Sequence, residues 1–328
     1  MTRLSALPAL HAAAYKPHSL HSPQQVWVEK NCYVDVWIEF LHALGLEPTA
    51  AMGFTLGVDF EGDQWTFFKP PLSNLRVLYG IDVQELTVWR PLLEHARHYL
   101  AAGKPISTEA DAFWLPDTAG TDYRRQHTKT TILLNAIDAD NERLGYFHNA
   151  GYFELGGEDF RSLFRIGPPL DPTFLPLYAE LISPARLVRL SADELRGQAT
   201  ELLRGHFARR PSANPLLRFG AHVDAEFKQI QTQGLAHYHA WAFATIRQCG
   251  AAFDLAAAHL RWLADLTDGR WLPAAESFEQ ISQGCKVLIL KAARAVNNGR
   301  PLDAAPMIDQ MAASWDAGMA CVERNLGR

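Results

Sequence analysis

The chain has 328 residues, enough for one large domain or two of ordinary size. A charged fraction of 20% with a net charge of −5 fits a folded globular protein and provides no basic footprint for nucleic acid. No apolar run approaches the ~20 residues that span a bilayer, and the short N-terminal apolar stretch is broken by Pro8 and His11. A cytoplasmic protein without membrane contact is therefore expected.

Residues 1–24 have no period and read as a loose arm. In NCYVDVWIEFLHALG, Tyr33, Val34, Trp37, Ile38, Leu41 and Leu44 recur at three- and four-residue steps, which predicts an amphipathic or largely buried helix. Asn31 is its N-cap, Gly45 its C-cap and Pro48 a stop. A strand is predicted over Gln64–Lys69, a short helix starting near Ser73, a strand at ELTVW and a helix ending at Gly103. KPISTEADAFWLP reads as a strand and DTAGTDYRRQ as a loop. HTKTTILLNAID and RLGYFHN then form two strands across the turn Asp138–Asn141, before a short helix at GGEDFRSLF. A linker, residues 166–184, opens with the four prolines of IGPPLDPTFLP. Five stretches of helical period follow, the first marked by Ser191 and Asp193–Glu194. The organisation is α+β: a mixed domain over 25–165, then an all-helical domain over 185–328.

Of the four cysteines, Cys249, Cys285 and Cys321 lie in helical text and read as buried small hydrophobes. Cys32 is different, because it opens a helix. A thiol attacks as the thiolate, which a helix N-terminus and a nearby imidazole favour. His127 starts a strongly apolar strand directly after a polar loop, so it can present its ring across a cleft as a base. The third member, which orients the imidazole, is sought on the next strand. Asn149 is chosen because its amide accepts a hydrogen bond without titrating. His148 stands beside it, and Asp138 and Asp140 fall in the connecting turn.

NCYVDVWIEFLHALG, GKPISTEADAFWLP, YRRQHTKTTILLNAID and LGYFHNAGYFELGGEDF together resemble the papain-like fold. More narrowly, they resemble the N-terminal domain of butirosin-type acyltransferases and related cysteine peptidases, over roughly residues 20–165. The whole chain also resembles a bacterial family of unknown function whose members occur near amino acid:carrier-protein ligases. The resemblance assigns the nucleophile to Cys32, the base to His127 and the orienting role to Asn149. It implies an oxyanion hole from the Cys32 N–H with Gln25 or Asn31, although Gln25 stands one residue further from the cysteine than in those peptidases. It further implies acyl transfer from a carrier-protein thioester to a small amine acceptor. The donor's phosphopantetheine arm enters as substrate, and no bound cofactor is expected. The alternatives are a cysteine peptidase or amidase, and a non-catalytic module that binds a carrier protein.

Other candidates are fewer. Glu109 and Asp111 share a strand face and could hold a substrate ammonium, or simply face solvent. Arg218 could grip a carboxylate or phosphate. His222 and Glu226 stand at i, i+4 near His237 and His239, but without a metalloprotease motif, and His237 and His239 diverge on a helix. No metal is expected. Lys286 and Lys291 interrupt an apolar helix and could snorkel or meet an acidic partner. The ring-rich strip from Trp241 to Trp262 reads as the core of a helical bundle. Nucleotide-binding and serine-hydrolase motifs are absent.

Overall fold

A computed structural model describes residues 3–167, 175–265 and 269–327, and the chain folds as two units that interleave in sequence. The first comprises Met1–Ser19, Asn31–Pro48 and Leu75–Arg189; the second comprises Leu20–Lys30, Thr49–Asn74 and Leu190–Arg328. The second unit thus includes two segments from the N-terminal side of the division expected at residues 166–184.

The first unit carries, in chain order, β1 (Leu4–Ser5), α1 (Cys32–Ala43), the part of α2 (Leu72–Tyr79) from Leu75 onward, and β2 (Asp82–Glu85). Next come α3 (Leu92–Ala101), β3 (Ile106–Asp111), β4 (Lys129–Asp138), β5 (Arg143–His148), β6 (Gly151–Gly156), α4 (Glu158–Leu163) and β7 (Ala179–Ser183). The strands form one antiparallel sheet ordered β2-β7-β3-β4-β5-β6, with β1 added beside β4. Cross-strand partners share a face. In the β3–β4 ladder, Glu109 faces Thr131 and Asp111 faces Lys129, while Ile106 faces Leu134 and Thr108 faces Ile132. One face is thus polar toward its open end. The other is the apolar core of Ile106, Ala110, Ile132, Leu134 and Tyr146, closed by Ala96 and Leu100 of α3 and Phe160 of α4.

Helix α1 is where the sequence placed it. Asn31, extended at φ −144°, accepts from the Tyr33 and Val34 N–H groups. Tyr33 to Leu41 is buried throughout, as expected of a helix apolar on most sides. Gly45, at φ +66°, ends it in the left-handed region that costs glycine least. Its buried Glu39 shows why the first residues are not a loose arm. Glu39 accepts from the Tyr15 hydroxyl at 2.5 Å and the His18 N–H at 3.1 Å, while β1 pairs Leu4 and Ser5 with Ile137 and Ala136.

Three further readings are corrected. Residues Gln64–Lys69 form no strand; Trp65 makes a single bridge to Phe60. The strand sought at ELTVW lies earlier, at Asp82–Glu85, and Leu86 and Val88 pack against the core beyond it. The prolines Pro168, Pro169 and Pro172 of the expected linker lie outside the described residues, but its end is β7, paired on both edges with β2 and β3.

The second unit is mostly helical: α5 (Ala192–Ala208), α6 (Pro215–Gln233), α7 (Leu235–Ala242), a π-helical segment (Phe243–Arg247), α8 (Gln248–Ala264), α9 (Leu272–Asn298) and α10 (Ala305–Leu326). Ser191 and Glu194 close a capping box at the head of α5. Phe253 stacks on Phe278 at 5.5 Å, and Trp65 meets Phe253 edge-on. The indole of Trp27 lies so close to Gly250 that a Cβ there would sit 2.7 Å from it. Cys249 and Cys285 are fully buried, and Cys321 nearly so. Burial raises the pKa of the Cys249 thiol well above its ordinary value, which keeps it neutral.

Candidate functional site

Cys32 is the first residue of α1 and is partly exposed. Its neighbours in the first turn are already used: the Asn31 side-chain carbonyl takes the Tyr33 and Val34 N–H groups, and the Asn31 backbone carbonyl takes that of Asp35. The Cys32 N–H is left as the open donor of this helix end. The thiol donates to Thr131 Oγ1 at 3.7 Å. A hydroxyl is both donor and acceptor, so Thr131 can equally donate to a thiolate.

Thr131 belongs to the polar face of β3 and β4. Lys129 precedes it on that face and lies 3.4 Å from Glu109. The ladder continues beyond the strands, because the Ala112 N–H donates to Thr128 O at 2.9 Å. Phe113 and His127 therefore come opposite one another, and their rings stack at 4.4 Å and 15°. His127 Nδ1 donates to Asp111 Oδ2 at 2.6 Å, which leaves Nε2 as the proton-accepting nitrogen. The result is an imidazole oriented by a carboxylate and held flat against a ring, with 69% of its side chain exposed.

These contacts change the expected constellation in two ways. First, the orienting residue of His127 is Asp111, which the sequence reading placed among substrate-binding candidates. Asn149 occupies the β5–β6 turn at φ +43° and makes no hydrogen bond to His127. Second, the sulfur and the imidazole are not hydrogen-bonded. Four residues of extended chain, ~13 Å, separate His127 from the Thr131 that touches Cys32. The face carries a thiol at one end and an acid–base pair at the other, with the Glu109–Lys129 pair between.

His148 lies on the opposite face. Its Nδ1 donates to Asp117 Oδ2 at 2.6 Å, and its Nε2 accepts from Thr130 Oγ1 at 2.8 Å. Tyr146 also donates to Asp117, and burial followed by that carboxylate raises the Tyr146 hydroxyl far above its ordinary range. The order hydroxyl–imidazole–carboxylate is that of a catalytic triad. The His148 and Thr130 side chains are nevertheless 1% and 6% exposed, so the chain satisfies buried polar groups instead of meeting a substrate. Asp138 caps the turn through Asn141, and those hydrogen bonds hold its carboxyl below the usual range.

The remaining candidates divide between the units. Asn31 is committed to its cap, and Gln25 belongs to the second unit. Arg218, also in the second unit, pairs with Asp59 and donates to Phe60 O and Ala213 O at 3.3 Å each, which makes it a brace. Lys286 lies 4.4 Å above the Trp27 ring, where burial lowers its pKa. Lys291 reaches the sulfur of Met307 at 3.2 Å. Sequence reasoning missed Glu180, buried on β7, which accepts from Tyr33 at 2.9 Å and Tyr178 at 2.8 Å. No group of three or more metal-ligating side chains occurs among the described residues. No described helix is long and apolar enough to cross a membrane.

Two family models match the sequence: the DUF1839 N-terminal domain over residues 16–183 and the DUF1839 C-terminal domain over residues 192–324. No curated protein matches it.

Proposed function

Since the chain belongs to the two-domain DUF1839 family, we propose that its N-terminal part works as a thiol-dependent acyl-transfer domain with Cys32 as the acyl-carrying residue. The supporting observation is the shared polar face. A partly exposed thiol with an open N–H beside it sits at one end, and the Asp111–His127 pair at the other.

In this reading the Cys32 sulfur attacks a thioester carbonyl. The Sγ–C bond forms as the donor's C–S bond breaks, and the donor departs as its thiolate, which takes a proton from water. The Thr131 hydroxyl donates to the sulfur while it is anionic, and the Cys32 N–H faces the oxyanion. An amine acceptor then forms the N–C bond, the Sγ–C bond breaks and Cys32 is regenerated. The acceptor's proton passes through water along the polar face to His127, which Asp111 orients. Glu109 offers its carboxylate to an ammonium group of the substrate. A papain-like fold and a carrier-protein thioester as donor are parts of the proposal carried by sequence resemblance alone.

A second reading has its own observation. The sulfur's partner is a threonine hydroxyl and not an imidazole, as expected of a structural cysteine in a non-catalytic module. Intact-protein mass spectrometry after incubation with an aminoacyl carrier protein separates the two. The transfer reading predicts an adduct on Cys32 that is absent from Cys32→Ala and does not form from a peptide amide. A protein unmodified by the thioester would favour the binding module. Release of a cleaved peptide would favour hydrolysis.

A further inference from the structure

The second unit contains a cavity of about 430 Å³ that the thiol chemistry does not use. Its walls come from the Gly62–Gln64 turn, from α6 and from the helix running through α7 and the π-helical segment. Three features define its chemistry. Trp241 supplies an indole face. Asp63 and Glu226 supply two carboxylates, and neither makes an ion pair or side-chain hydrogen bond among the described residues. No lysine or arginine lines the space.

The site is built, not incidental to a loose surface. The π-helical segment contributes Ala244 and Thr245 to the wall, and such segments interrupt helices where function requires it. The Ala244 carbonyl accepts the Trp65 N–H at 3.2 Å, which fixes the turn bearing Asp63 against this helix. The Trp241 indole N–H donates to His222 Nε2 at 3.3 Å, and the two rings are nearly parallel at 20°. That contact uses His222 Nε2 as the acceptor and leaves Nδ1 as the other ring nitrogen. The lining thus has two unpaired carboxylates, the imidazoles of His222 and His237, and an indole.

We propose that this cavity binds an organic cation, a primary ammonium or guanidinium compound of small-metabolite size, between the Trp241 ring and the Asp63 and Glu226 carboxylates. An indole face attracts a cation, a carboxylate forms charge-assisted hydrogen bonds to it, and the volume lies in the range of small-molecule sites. A metal ion is not favoured, because the acids and imidazoles do not converge as a ligand set.

The test is calorimetric titration of the full chain with cadaverine, spermidine and lysine methyl ester, using 1,5-pentanediol as the neutral control. At least one of the three cations should bind saturably, and the diol should not. Glu226→Gln and Asp63→Asn should each weaken that binding about tenfold, with an unchanged melting temperature because both positions are at least partly exposed. Raising the salt concentration should weaken it further. Absence of binding by all three cations at millimolar concentration would overturn the proposal, as would equal binding by the diol or full affinity in both variants. None of these readouts depends on Cys32, so the result is independent of the acyl-transfer reading.

Discussion

Asp111 has two jobs at once: its side chain caps the turn after β3 by accepting the Phe113 N–H at 3.1 Å, and it holds His127 at 2.6 Å. Replacing it with asparagine keeps an acceptor for the cap but removes the charge that orients and supports the imidazole. Asp111→Asn should therefore slow acyl transfer about 100-fold, the usual scale for a general base, while the Cys32 adduct still forms. Steady-state rates combined with adduct mass check this, and an unaltered rate would remove His127 from the mechanism. The sequence showed Cys32 at a helix head because Asn31 and the apolar period that follows are local signals. It did not show Asp111 as the partner of His127, because that contact depends on how β3 and β4 register across a loop. Thr131 was equally hidden, since nothing local says which strand residue a helix terminus will touch.

At the scale of elements, the segments with strong periodicity were legible. Helices α1, α3 and α5 and the hairpin of β4 and β5 form where the pattern predicted. The short or doubly buried elements were not. β7 has five residues and β1 two, too few for a period to register, and both are held by neighbours distant in sequence. The packing of α8 also carries a pH dependence. His259 on α8 donates from Nδ1 to Thr49 O at 2.8 Å, and burial holds its pKa down at about 4. His206 on α5 is likewise held at about 4 by burial, aided by Arg209, and its Nε2 accepts from the Asn74 amide at 2.7 Å. Both rings are neutral when folded, whereas in the unfolded chain each protonates near pH 6.5. Above pH 6.5 the two states bind protons equally and nothing is lost. As pH falls from 6.5 toward 4 the unfolded state alone takes up protons, so stability declines through that window and levels off below it. The His259 share at pH 4 is ~3 kcal/mol. Urea midpoints between pH 7 and 4 should fall more gently in His259→Gln than in the native chain. Parallel slopes would contradict the assignment.

For the whole molecule, the family models divide the chain between residues 183 and 192, whereas the second folded unit also includes Leu20–Lys30 and Thr49–Asn74 from the N-terminal side of that line. The change in composition at the proline-rich stretch revealed the two textures but not these two segments, because residues 20–30 and 49–74 carry no signal naming the helices they pack against. Trp27, Met52, Phe60, Trp65 and Phe68 all belong to the second unit and are at most 3% exposed. At ~2 kcal/mol each they contribute about 10 kcal/mol, comparable with the whole stability of a domain. Residues 190–328 expressed alone should accordingly lack a cooperative thermal transition and the near-ultraviolet dichroism of packed rings. A fragment that melts cooperatively at the temperature of the full chain would refute that dependence.

The central claim, that Cys32 is a reactive thiol and not a structural one, can be measured without knowing any substrate. The native chain would be exposed to iodoacetamide at pH 7, and the rate of alkylation at each cysteine read by peptide mass spectrometry. The account predicts that Cys32 reacts first, about tenfold faster than free glutathione, that Thr131→Val slows it, and that buried Cys249, Cys285 and Cys321 remain unmodified on that timescale. A Cys32 that reacts no faster than glutathione, and is indifferent to Thr131→Val, would contradict it.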